Sequence, residues 1–154
     1  MTALWDWALQ AYARPGAAET LLEMQNAHRQ SVPYLLWAAW AAREERPLSR
    51  SVLAAGAALA ERWEQSATGP LRFVRRALKA PAPGVPEPAQ EALRAQVQAL
   101  ELEAERVLLA ALESLAPAPT GAAISLEASL PAAAHAWAFP VPPAALVRLA
   151  RVLA

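Results

Sequence analysis

Along most of this chain apolar residues return every three or four positions, the repeat of an amphipathic helix. One stretch departs from that repeat. From Val32 to Ala42 the eleven residues read Val-Pro-Tyr-Leu-Leu-Trp-Ala-Ala-Trp-Ala-Ala, without a single charge. On a helix these side chains point apolar in every direction, and such a helix must be buried in protein or in lipid. A membrane crossing needs about 20 residues, so the segment is too short to span. The pattern predicts an all-α fold: a compact multi-helix bundle built around a Trp-rich central helix, with Trp37 and Trp40 in its core.

The same spacing places the other elements. A first helix is expected over 3–13, capped by Thr2. Its buried side carries Leu4, Trp5, Ala8, Leu9, Ala11 and Tyr12, with Trp7 at the border. Arg14-Pro15-Gly16 interrupts, and Pro15 is expected to open a second helix that runs to His28 and buries Leu21, Leu22 and Met24. Ser31 is the expected cap of the central helix, which stops before Pro47. Ser49 caps a fourth helix, in which Val52, Gly56, Leu59, Ala60 and Trp63 recur. Gly69-Pro70 ends it or bends it sharply. A short fifth helix, 71–79, is divided cleanly: Arg72, Arg75, Arg76 and Lys79 share one arc, and Phe73, Val74, Ala77 and Leu78 share the other. The Pro-rich segment 80–88 is a stiff, exposed connector. A long sixth helix, 89–115, carries a near-heptad stripe of Leu93, Val97, Leu100, Ala104, Val107, Ala111 and Leu115. Leu102 and Leu109 lie on its reverse side.

Ala116-Pro117-Ala118-Pro119 reads as a second linker. It divides the chain into a helical domain, 1–115, and a Pro/Ala-rich tail, 116–154. From Thr120 onward only Glu127, Arg148 and Arg151 are charged. A terminal helix is expected over 143–153, after a loosely ordered stretch. So little charge argues that the tail docks rather than staying solvated. Its expected contacts are Leu102 and Leu109 on the long helix, reached through Trp137 and Phe139 in the groove-lying segment 135–143. The groove belongs to this chain, to a second copy or to a partner.

Composition sharpens the picture. The chain has 41 alanines and five glycines among its 154 residues, a strong helical bias. Fourteen basic residues balance fourteen acidic ones, so no global field favours nucleic acid or acidic lipid. The absence of cysteine excludes disulfides and thiolate metal sites and suits the cytosol. The N-terminus lacks the basic start of a signal peptide, so a cytoplasmic protein is expected.

Candidate chemistry is sparse. His28 and His135 stand far apart, Glu101 and Glu105 are acids on a long helix, and no metal or other cofactor is expected. There is no Gly-x-Ser-x-Gly elbow and no Gly-rich phosphate loop. Two features remain. Trp7, Tyr12, Gln25, Asn26 and His28 could line a ligand pocket, although His28 and Arg29 also suit a plain helix end. Arg72, Arg75, Arg76 and Lys79 form a basic face that could meet an acidic partner. The six glutamates between Glu87 and Leu115 could equally neutralise it within the chain. The expected function is a non-enzymatic protein-interaction module, its partner another protein or a second copy. The alternative is a bundle that binds a small apolar ligand near Trp7, Tyr12, Gln25 and His28.

The N-terminal three quarters resemble a known family. Leu4-Trp5-Asp6-Trp7-Ala8-Leu9, Tyr12-Ala13-Arg14-Pro15-Gly16, Leu22, Gln25, His28, Leu35-Leu36-Trp37 and Trp40 carry the likeness. Trp63, Pro70-Leu71-Arg72, Arg75-Arg76, Leu78-Lys79 and Glu101-Leu102-Glu103-Ala104-Glu105-Arg106 extend it. Over roughly residues 4–115 this sequence resembles the proteobacterial domain-of-unknown-function 2390 family. It departs at Asn26, where members often carry an acid, and at Pro33, where they often carry asparagine. The resemblance implies a small all-helical bacterial protein and no particular activity.

Overall fold

Local capping and one obligatorily buried helix set the architecture. The computed structural model describes residues 3–154, and Thr2, the expected first cap, lies outside the described residues. The elements are α1 (Leu4–Tyr12), α2 (Ala17–His28), α3 (Val32–Arg43), α4 (Arg50–Trp63), a π turn (Glu64–Thr68), α5 (Gly69–Ala77), α6 (Glu87–Leu115), α7 (Leu126–Ala136) and α8 (Pro143–Leu153). No strand occurs among the described residues. Ser31 and Ser49 act as N-caps, their hydroxyls accepting from the backbone N–H of Tyr34 at 3.4 Å and of Val52 at 3.3 Å. Each satisfies a donor that the first helical turn leaves open.

α3 is the axis of the bundle. It packs against α1, α2, α4, α6 and α7, and every residue from Tyr34 to Ala42 is buried, Trp37 and Trp40 at 0% exposure. The Tyr34 hydroxyl donates to the Leu53 carbonyl of α4 at 3.1 Å. Its ring lies 5.7 Å from Trp37 and 5.5 Å from Trp137, tilted against both. The α3–α4 contact is close because Gly56 has no side chain. A Cβ there would lie 2.8 Å from Cη2 of Trp37 and nearer still to Cζ3.

The tail is structured more fully than its sequence suggests. In place of a loosely ordered stretch before residue 143 stands α7, capped by Ser125, whose hydroxyl accepts from Ala128 N–H at 3.2 Å. Pro131 lies inside α7 on its exposed side, where the carbonyl left without a helical donor meets water. α7 packs on α3 and α4, and α8 on α2 and α7. Leu130, Ala133, Leu149 and Leu153 join the same buried cluster as Trp37 and Trp40. The linker is pinned as well: Thr120 N–H donates to the Glu45 carbonyl at 2.9 Å, and Arg46 to the Pro117 carbonyl at 2.7 Å. The tail therefore seats on α3, not on Leu102 and Leu109. Leu102 is half exposed, and Leu109 is buried in the common core.

Several helix faces differ from expectation. Trp7 is buried, while Leu9 and Leu22 are exposed. Pro15 precedes α2 rather than opening it, because Gly16, at φ 78°, turns the chain first. On α6 the buried line runs Gln90, Val97, Glu101, Ala104, Leu108, Leu112. It shares only Val97 and Ala104 with the apolar stripe. Leu93, Leu100 and Val107 are exposed. The cause is α5, which meets α6 with arginines, so α6 turns polar side chains toward it.

Exchanging a mid-helix glycine for alanine ordinarily stabilises by about 0.5–1 kcal/mol. At Gly56 the sign should reverse. Overpacking against Trp37 predicts a net loss of about 1–3 kcal/mol for Gly56→Ala, measurable by urea unfolding. A gain in stability would mean that the α3–α4 seam is loose.

Candidate functional site: a charged cleft beside a π turn

Helical backbone continues from Arg50 to Ala77, but five residues, Glu64–Thr68, form a π turn. Pro70 explains its place. In an α-helix the proline ring would collide with the carbonyl four residues back and could not donate to it. The wider π turn avoids that collision. Gly69 closes the turn by donating to the Glu64 carbonyl, and a Cβ at Gly69 would lie 2.5 Å from that oxygen. Only glycine fits there. Such turns inside helices are frequent at functional sites, and this one brings Glu64 and Thr68 to the wall of a cleft.

The cleft has a volume of about 230 Å³. Gln25, Arg29 and Gln30 come from the end of α2, Val32 and Pro33 from the start of α3, Glu64 and Thr68 from the π turn, Arg72 from α5, Glu105 and Leu108 from α6, and Trp137 from the end of α7. Two strained backbone positions adjoin it. Arg29 has φ 53° and Ala138 φ 70°, a region that side chains other than glycine rarely occupy. The Trp137 indole N–H donates to the Arg29 carbonyl at 2.7 Å and fixes this end of the cleft.

An ion network forms the other end. Arg72 donates to Glu64 at 2.7 Å and to Glu101 at 3.2 Å, and Arg75 donates to Glu101 at 2.5 Å. The Thr68 hydroxyl donates to Glu64 at 2.6 Å. The hydrogen bond that Arg75 donates to Glu101 pushes the guanidinium pKa up, so its proton is held more firmly. Glu105 is different. Among the described residues no donor bonds its carboxylate. Burial first, and the Glu101 charge second, raise its pKa, with Arg72 opposing. Tyr12 stands close enough to feel the same charges. Loss of solvent and the Glu105 carboxylate push its phenol up to about 12.

A second feature lies outside the cleft. Because Arg72 and Arg75 turn inward, Phe73 and Val74 of α5 face solvent, Phe73 at 74% exposure. Leu93, Leu100 and Val107, spaced by seven on α6, are exposed too, Leu100 at 57%. Seven residues are close to two helical turns, so these three share one face.

A protein-family profile described as a protein of unknown function, DUF2390, matches residues 3–112. The chain belongs to the DUF2390 family. No curated protein and no solved structure matches it. The family match spans α1 to the last turn of α6. It thus contains Gln25, Glu64, Thr68, Arg72 and Glu105, while Trp137 lies beyond it.

The expected site residues distribute unevenly in this DUF2390 chain. Gln25 lines the cleft and Tyr12 lies within electrostatic reach of Glu105. Trp7 is core, Asn26 is exposed, and His28 lies 3.8 Å from Glu23 outside the cleft lining. The basic face is split: Arg72 and Arg75 pair with glutamates, while Arg76 and Lys79 are exposed. Trp137 meets Tyr34, and Phe139 lies under the Arg29 guanidinium at 5.6 Å, so both rest on this chain's own helices. Glu64, Thr68 and Gln30 were not singled out from the sequence. The one local signal for the first two is Gly69-Pro70 following an unbroken helical pattern. Among the described residues, no three His, Asp or Glu side chains group as metal ligands. No helix there is long and apolar enough to cross a membrane.

Glu105 gives a pH test. Its folded-state pKa is raised, so the native chain holds this proton more tightly than the unfolded chain. That contribution is full below the ordinary glutamate range and is lost as pH rises through the raised value. Glu105→Gln should therefore melt higher than the parent at about pH 7, with the difference closing by about pH 4. Differential scanning calorimetry across this range checks it. A lower melting temperature for the variant at neutral pH would contradict the assignment.

Proposed function

We propose that this DUF2390 protein is a non-enzymatic, helical protein-interaction module that receives an amphipathic helix of a partner protein along the outer face of α6. The observation that carries the reading is the heptad-spaced, exposed row of Leu93, Leu100 and Val107. Apolar side chains repeated on one helix face are the requirement for knobs-into-holes pairing with a second helix. The inward pairing of Arg72 and Arg75 with Glu64 and Glu101 supports it. It uses up two of the four positive charges that would otherwise favour an acidic or nucleic-acid partner. A cysteine-free chain is compatible with a bacterial cytoplasm as the compartment.

A photo-crosslinking residue at position 100, introduced in the native cell, tests the reading. It should give a discrete adduct whose mass distinguishes a second copy from another protein. The same residue at exposed Glu61 should give none. Leu100→Glu elsewhere on a wild-type background should abolish a complex reconstituted from that adduct's components while leaving the circular-dichroism spectrum unchanged. Identical adduct patterns at positions 100 and 61, or none at either, would refute the proposal.

A further inference from the structure

The charges of the cleft between the α2 end, the π turn and α6 balance in number but not in pairing. Arg29 and Arg72 line it with Glu64 and Glu105, and Arg75 and Glu101 stand beside it. Arg72 and Arg75 are committed to Glu64 and Glu101, and the Thr68 hydroxyl is spent on Glu64. Arg29 and Glu105 remain, and among the described residues no ion pair joins them to each other or to any other side chain. Their places differ. Arg29 is exposed at the mouth, its guanidinium over the Phe139 ring at 5.6 Å. Glu105 is only partly exposed, and its carboxylate, stripped of much of its water, calls for compensation. The cleft is thus polarised, with an unpaired carboxylate inside and an unpaired guanidinium at the rim.

Between these two charges the lining is mixed. Leu108 and Trp137 are apolar, and Gln25 and Ser31 are polar without charge. At about 230 Å³ the cleft is smaller than the pockets of about 300–1,000 Å³ that take drug-sized molecules. A small cation would answer Glu105 and oppose Arg29. A small anion would do the reverse, and an uncharged molecule would compensate neither. A molecule with both charges and a short apolar side chain matches every part of the lining.

We infer that the cleft binds a free amino acid with an apolar side chain, its ammonium donating to Glu105, its carboxylate accepting from Arg29, and its side chain against Leu108 and Trp137. Hydrogen bonds between charged groups at both ends are of the stronger kind, and their opposite signs fix which way round the ligand sits. Gln25 and Ser31 supply neutral donors and acceptors for its remaining polar atoms. This site is separate from the α6 outer face and does not depend on the partner reading.

Titration calorimetry of the full chain with L-leucine tests it, against L-leucinamide, which lacks the carboxylate, and N-acetyl-L-leucine, which lacks the ammonium. Leucine should bind one to one, and each blocked analogue about tenfold more weakly or not at all. Leucine should also shift the indole resonance of Trp137 in an NMR spectrum. Glu105→Gln and Arg29→Gln, each checked for an unchanged circular-dichroism spectrum, should weaken leucine binding by about tenfold or more, the loss expected when a hydrogen bond to a charged group goes. Arg76→Ala, on the exposed side of α5, should not. Three results would overturn the inference: no heat with leucine, equal binding of either blocked analogue, or wild-type affinity in either Glu105→Gln or Arg29→Gln.

Discussion

A helix with no polar face has to be covered on every side, and α3 imposes that demand on the whole chain. Each neighbour answers part of it. α1 and α2 supply Leu4, Trp7, Leu21 and Met24, α4 supplies Leu53 and Ala57, α6 supplies Leu108, Leu109 and Leu112, and α7 supplies Leu130 and Ala133. Trp7, Trp37 and Trp40 are the largest units in this cluster and carry the largest apolar areas. Their bulk is accommodated by small residues opposite, most sharply at Gly56. The tail is drawn in by the same demand, since α7 closes a side of α3 that the first six helices leave open.

Outside the apolar cover of α3 lies α5. It has no buried residue. Its arginines find Glu64 and Glu101, and its apolar arc is left in solvent. Ion pairs of this kind contribute little net stability when they replace apolar packing, but removing one partner strands the other. The α5–α6 hairpin is thus held by a polar seam, extended by Gln90, whose side chain bonds the connector at Leu78, Ala80 and Ala82. The cleft sits where this seam meets the apolar core. That boundary explains why Glu105 is both poorly hydrated and poorly paired.

Much of the fold was legible. The uncharged run at 32–42 announces a central buried helix, and Ser31 and Ser49 announce its start and the start of α4. What failed was the choice of face. Periodicity shows that α5 has two sides, but not which one turns inward; that depended on Glu101, distant in sequence. On α6 the same uncertainty moved the buried line from Leu93 and Leu100 to Gln90 and Glu101. α7 was hidden because Pro131 and a run of alanines give no amphipathic rhythm. As a pocket the cleft was legible at Gln25, at Arg29 in the polar run that follows it and, at its edge, at Tyr12. Its other members come from separate segments brought together by the fold, and the π turn that aims Glu64 and Thr68 leaves a trace only in Gly69-Pro70.

The central claim is that α3 is held by all of its neighbours at once, α7 included. Hydrogen exchange on a chain ending at Thr120 tests it most directly, because α3 amides report whether its cover is complete. The account predicts that the shortened chain loses protection throughout α3 and no longer unfolds in one sharp transition. Full protection of α3 in the shortened chain, with a sharp transition retained, would contradict it.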